Sequence, residues 1–329
     1  MKTDLTIAQW NAYWLGIVRL HLRHTTVEQY QDVIDRIINP AIGHLPLNLF
    51  DEATALQFVK SELQKGRGIS RLELALIVEK MAFDEAYEEG NIPYNPFRLL
   101  WLPRRIKKET SILYADDIRA MMTDYSELPY TPLFVIIYLV ALRIGEALGL
   151  QWKDIHYNTN EVLVCRQVTR SRLNGHILNT LENYTKNNVC DTVSLNALAI
   201  HWLQIQKQRQ EKWEKKSSHY SNPDGYVFTD EYGNRLNYDK AYYQFNKLMK
   251  QIGRLDVTPH SLRHTAASVA LFTTGNRLFV REFLRDRSLH AVDTYTQPLY
   301  EQQISLAEAL HKEYAPLIRC AIGEEYCHD

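Results

Sequence analysis

Residues 259–268 read PHSLRHTAAS. Pro259 suits the first turn of a helix, where its missing N–H has no intrahelical partner to lose. His260 and Arg263 are three residues apart, so they share a face, and His264 follows one position later. Behind them come Thr265, Ala266, Ala267 and Ser268, small residues that suit close packing. The pattern predicts a helix whose first turn faces something polar and whose remainder packs inward. That polar first turn needs partners from elsewhere in the chain.

Three other polar residues sit oddly in their surroundings. Arg143 interrupts an apolar run in ALRIGEALGLQWKDI (141–155). Lys186 occupies a turn between two strand-like segments, in TKNNVCDTVSL (185–195), and Tyr295 closes FLRDRSLHAVDTYTQ (283–297). Two arginines and a lysine brought to one point would grip a phosphodiester, because a planar guanidinium holds two phosphate oxygens at once. A tyrosine beside them would be a nucleophile towards phosphorus, with the cations stabilising the developing charge. Taken singly, each residue has a plain reading too. Arg143 reads as a structural arginine paired with Glu146, and Lys186 as a solvated turn lysine. One of 20 tyrosines carries little information by itself. His260 and His264 have the four-residue spacing of zinc ligands, but Ser261 stands where an HExxH helix has its glutamate. No metal site is expected.

Composition bounds the rest. The chain has 329 residues, 45% of them hydrophobic, and a formal net charge of −1. That length suits about two domains. A basic excess, the usual mark of a nucleic-acid binder, is absent from the sum, although a sum hides charge segregated by face. The most apolar stretch, LFVIIYLVAL (133–142), is half of the ~20 residues that a membrane span needs. The N-terminus lacks the order of a signal peptide. Cys165, Cys190, Cys320 and Cys327 form no CxxC pair and read as reduced thiols of a cytoplasmic protein.

Along the chain, helical periodicity runs through IAQWNAYWLGIVRLHL, EQYQDVIDRII, ATALQFVKSELQKG and SRLELALIVEKMAFDEAYEEG. Thr25 and Glu28 form a capping-box pattern for the second of these. A helical domain is therefore expected over 1–103. The basic run RRIKKET follows, with Arg104, Arg105, Lys107 and Lys108, and reads either as a solvated linker or as a DNA-contacting one over 104–110. A mixed domain is expected over 111–329. It opens with a helix at Ala115-Asp116-Asp117 and continues with an apolar helix broken near Arg143. Short strands follow in EVLVCRQVTR, GHILNT and CDTVSL, the first two joined by an Asn174-Gly175 turn. ALAIHWLQIQKQRQEKWEKK is a helix, YVFTD a strand, and the chain from about 238 onwards helical. The fold class is mainly α with a small antiparallel β-sheet, α+β.

The segments ALRIGEALGLQWKDI, TKNNVCDTVSL, TPHSLRHTAAS and FLRDRSLHAVDTYTQ, in this order, resemble those of the tyrosine recombinase (phage integrase) family. The resemblance spans nearly the whole chain. It implies a helical core-binding domain before a catalytic domain, double-stranded DNA as substrate, a homotetramer on two DNA sites, and no cofactor. It implies that Arg143 and Arg263 bind the scissile phosphate, and that Lys186 protonates the leaving 5′-oxygen. His260 then assists at the nucleophile, and Tyr295 forms a 3′-phosphotyrosyl link, with Glu146 and His264 in support. The amphipathic ISLAEALHKEYAPLI would dock on a neighbouring subunit or cap its own domain. No module is expected ahead of the core-binding domain. One position departs from the family pattern. Nine residues before Tyr295 the family has His or Trp, preceded by glycine; here Asp286 follows Arg285. An ionised carboxylate there repels a phosphate, and Arg285 is a candidate for compensating positive charge.

Overall fold

The computed structural model describes residues 5–103, 111–173, 176–183 and 190–286. The chain divides into two compact units, residues 1–108 with 171–178, and residues 109–170 with 179–329.

The first unit is built from helices. α1 (Ile7–Val18) opens with a capping box: Gln9 N–H donates to the Thr6 hydroxyl, and Thr6 N–H donates to the Gln9 side chain. α2 (His24–Val33) begins at His24 with Arg23 as its N-cap and no side-chain cap bond. The box expected at Thr25 therefore does not form, because the helix already runs through Thr25. α2 passes into a π-helical turn at Ile34–Ile38 and on into α3 (Asn39–Ile42). Pro40 has no N–H to offer a carbonyl one turn back, and the wider turn just before it carries the chain past without a break. α4 (Glu52–Gln64) is capped by Asp51, and α5 (Ile69–Glu88) crosses the unit. Trp10, Trp14, Phe83 and Phe97 are fully buried between these helices. Such rings dominate the apolar area taken from water, each contributing about 2–3 kcal/mol. The Trp10 indole donates to Ala82 O at 2.7 Å, satisfying its one polar atom.

The second unit starts with α6 (Ala115–Met122), where Asp117 accepts the Tyr114 N–H. α7 (Thr131–Val140) is buried along most of its length, the environment its nearly unbroken apolar sequence requires. It stops at Ala141, which takes a left-handed conformation (φ 49°). Two residues later α8 (Ile144–Gly149) begins with Arg143 as N-cap, so the break expected near Arg143 is real. Strands β1 (Ile155–His156), β2 (Glu161–Val164), β3 (Gln167–Leu173), β4 (His176–Glu182) and β5 (Asp191–Ser194) follow, with the parts of β3 and β4 within 171–178 grouped with the first unit. An antiparallel sheet has the order β1-β2-β5, and β3 pairs with β4. EVLVCRQVTR thus supplies two strands, not one. YVFTD forms no strand: Tyr226 and Thr229 each make an isolated bridge, to Gln151 and Arg235. α9 (Ala197–Lys216), α10 (Tyr238–Ile252), α11 (Pro259–Thr274) and α12 (Arg277–Leu284) complete the described unit. The fold class is the expected one, mainly α with small antiparallel sheets.

Val164 pairs with Asp191, which sets Cys165 opposite Cys190 at the next rung. They are joined as a disulfide, with Cα atoms 4.3 Å apart. The reading of these two cysteines as free thiols is corrected: spacing in sequence carries no sign of a cross-strand register. Among the described residues, no helix is long and apolar enough to cross a membrane.

Candidate active site

Three helix ends of the second unit meet around one group of charges. The carbonyls at the C-terminus of α7 have no further N–H to accept from, and the helix dipole makes that end negative. Guanidinium groups fill it. Arg263, on α11, donates to Ala141 O at 2.5 Å and to Leu284 O at the end of α12. Arg285 donates to Ala141 O at 3.1 Å and to Val140 O at 3.4 Å. Arg263 is the deeper of the two, its side chain 1% exposed.

Glu146 balances this charge from below. It sits at the third position of α8 and accepts the Arg143 N–H, the acidic half of a capping box. Its two oxygens also take Arg143 Nη1 at 2.8 Å and Arg285 Nη2 at 2.9 Å. Burial pushes its pKa up, but Arg285, Arg143 and Arg263 together outweigh that, and the net shift is downward. Glu146 is therefore a buried, ionised carboxylate.

α8 can lie where it does because Gly145 carries no side chain, and Gly149 eases a second close approach. A Cβ on Gly145 would stand 2.4 Å from Val168 O and 2.6 Å from the Tyr238 hydroxyl, and one on Gly149 would stand 3.1 Å from Arg166 O. Backbone therefore packs on the backbone of Arg166 and Val168, at the start of β3. The Tyr238 phenol, half-buried and close to Gly145, has its pKa pushed up to about 12 by the protein packed about it, then by Tyr242 and Glu146. Tyr238 was not singled out from the sequence, and no local pattern ties it to a glycine so far upstream.

Asp286 closes the upper side. One oxygen takes Arg143 Nη2 and the other takes Arg263 Nη2 at 3.3 Å. Its side chain is 14% exposed. This carboxylate points at the arginines. The Arg285 guanidinium reaches Glu146 and the carbonyls at the end of α7.

His260 and His264 stand edge to face, ring centres 4.4 Å apart. The protein packed about the imidazole, then Arg263 and Arg143, hold His260 below its ordinary pKa. His264 is pushed down to about 4 by burial, then by His260 and Arg263. Both rings are neutral at pH 7. Among the described residues, no three His, Cys, Asp or Glu side chains gather as metal ligands. The structure thus brings Arg143, His260 and Arg263 together. Lys186, Tyr295, the C-terminal segment ISLAEALHKEYAPLI and the basic residues Arg104, Arg105, Lys107 and Lys108 lie outside the described residues.

A model of the phage integrase family matches residues 111–302, more than half of the chain. The chain belongs to the phage integrase family. Site-specific recombination by a tyrosine-type enzyme is the activity that this membership carries. Among relatives, a tyrosine recombinase XerC-like protein of Caldanaerobacter subterraneus is 25% identical over 327 residues, covering 94% of this chain and 83% of its own. Tyrosine recombinase XerC of Salmonella typhi is 23% identical over 308 residues, covering 91% and 93%. Among solved structures, the Tn1549 transposon integrase in complex with a circular intermediate DNA superposes with a TM-score of 0.74 at 16% identity, covering 93% of this chain and all of that one. A lambda integrase tetramer bound to a Holliday junction gives 0.68 at 16% identity, covering 91% and 80%.

Proposed function

We propose that this chain cuts and rejoins double-stranded DNA at specific sites through a 3′-phosphotyrosine intermediate, as the integrase of a phage or other mobile element. One observation supports this above the rest: Arg143 and Arg263, far apart in sequence, each direct an Nη2 at the same small anion. In place of a carboxylate, a phosphodiester offers the same pair of oxygens to the same donors. Tyr295 would attack phosphorus as the bond to the 5′-oxygen breaks. The leaving oxygen would take a proton from Lys186. His260, neutral at pH 7, would take up the phenolic proton. The arginines would stabilise the charge that builds on the phosphoryl oxygens. The phosphotyrosyl ester keeps the bond energy for rejoining, so the reaction on this reading needs neither nucleotide nor metal.

On the same reading, residues 1–103 form the core-binding domain, Arg104, Arg105, Lys107 and Lys108 contact DNA phosphates, and residues 111–329 form the catalytic domain. A homotetramer would assemble on two DNA sites, a reading supported by the lambda integrase tetramer bound to a Holliday junction. A second reading, a DNA-binding protein with impaired cleavage, is favoured by the carboxylate of Asp286 on the arginine pair.

A nicked suicide duplex carrying the recombination junction separates the two. The expected result is a covalent protein–DNA adduct that Tyr295→Phe abolishes while leaving binding nearly intact. Adduct formed by the Phe variant would remove Tyr295 from its role. Binding with no adduct from the wild type would favour the non-cleaving reading.

A further inference from the structure

The position of Asp286 is set by its backbone. Arg285 ends α12 in the left-handed conformation (φ 54°), and its N–H donates to Glu282 O. The Asp286 N–H reaches back five residues to Arg281 O. These two bonds make a Schellman motif, a rigid helix ending that normally uses glycine at the left-handed position. A side chain there costs about 1 kcal/mol, which the Arg285 guanidinium offsets through Glu146 and Ala141. The motif holds Asp286 at a fixed place over the arginine pair.

The charges around it are unequal. Arg143, Arg263 and Arg285 face Glu146 and Asp286. Both oxygens of Glu146 are engaged on the lower side by Arg143 and Arg285. On the upper side Arg143 Nη2 and Arg263 Nη2 both donate to Asp286, Arg263 Nη2 donating to Leu284 O as well. A carboxylate and a phosphodiester each present two oxygens sharing one negative charge, and a guanidinium grips either.

We propose that Asp286 is an intramolecular competitor of the scissile phosphate: without DNA it occupies the arginine pair, and substrate binds by exchange with it. This rests on the recombinase reading for the identity of the competing anion, but not for the existence of the site. The consequence is selectivity. A duplex held only by loose backbone contacts lacks the binding energy to displace the carboxylate, whereas one engaged along its length can, so stray phosphates are not set up for attack.

The test uses inorganic phosphate on the full chain, without DNA. Thermal unfolding of the wild type and Asp286→Asn is followed in sodium phosphate and in sodium chloride of equal ionic strength. An anion that binds only the folded state raises its melting temperature. Asp286→Asn is expected to gain about 3 °C or more in phosphate, the wild type markedly less, and Asp286→Asn with Arg143→Ala nothing. Equal gains in wild type and variant, or none in either, overturn the proposal. If Asp286→Asn folds poorly in chloride, recovery in phosphate supports it. Failure of both Asp286→Asn and Asp286→Ser to fold in either salt overturns it, since a vacated anion site should refill. A phosphate response together with persistent adduct in Tyr295→Phe would leave this inference standing while removing the nucleophile assignment.

Discussion

Glu79 in the helical unit and Glu146 in the second unit are both buried, 0% and 2% exposed, yet their carboxyls are driven in opposite directions. Glu79 has a single described partner, the Asn11 amide, which donates to it at 2.6 Å. Burial with no cation pushes its pKa up to about 8. Its second oxygen and the Asn11 carbonyl oxygen are both left without a bond in the structure. A proton on Glu79 lets the acid and the amide pair reciprocally and satisfies both oxygens at once. Glu146, among three guanidinium groups, keeps its charge. Depth alone does not set the state of a buried acid; the charge of its neighbours does.

Removing the charge of Glu146 tests this most severely. Glu146→Gln leaves Arg143 and Arg285 facing a neutral amide in a buried site, and should destabilise the second unit by about 4 kcal/mol. Urea unfolding followed by hydrogen exchange within residues 111–286 checks it. A loss below about 1 kcal/mol would mean that the arginines are neutralised without Glu146.

Glu79→Gln should do the reverse in the helical unit. The folded pKa of Glu79 lies above the unfolded value, so its contribution is fully present below about pH 4.5 and is lost as pH rises to about 8. At pH 8 the Gln variant should be more stable by roughly 4 kcal/mol, and at pH 4 indistinguishable from wild type. Glu146 has the opposite sign: its stabilisation is present above the ordinary glutamate pKa and is lost as pH falls through its lowered folded value. Acidification from pH 8 to pH 5 should therefore strengthen exchange protection in the helical unit and weaken it in the second unit, where the fold holds His264 and His260 below their ordinary pKa and unfolded imidazoles take up protons first. Parallel pH profiles in the two units would contradict the contrast.

The smallest expected effect concerns the third carboxylate. Asp286→His replaces an acceptor over the arginine pair with a donor, and should raise the single-turnover cleavage rate by about tenfold, or ~1.4 kcal/mol of barrier. Equal or slower cleavage at unchanged DNA affinity would show that Asp286 does not burden the reaction.

Much of the fold was legible in advance because local signals report it well. Three- and four-residue apolar spacing marked α1, α4, α5 and α9, and a run of β-branched residues marked β5. The order of four motifs along the chain was enough to bring Arg143, His260 and Arg263 into one site on paper. Other signals misled because a competing local option won. Thr25 can cap a helix only if the helix begins there, and it begins earlier, at His24. YVFTD has the composition of a strand, but among the described residues only single bridges pair with it.

What the sequence determined by itself is therefore the set of elements and the family chemistry they carry, since periodicity, turns and motif order are properties of neighbouring residues. Tertiary structure decided the rest, through contacts between residues far apart in the chain. Gly145 is needed because the Val168 carbonyl of β3 lies against α8. Arg285 tolerates a left-handed turn because Glu146 and Ala141 receive its guanidinium. Cys165 meets Cys190 because β2 and β5 share a register. Asp286 turns towards the arginines because the ending of α12 holds it there, and a carboxylate in reach of two guanidinium groups is strongly bound.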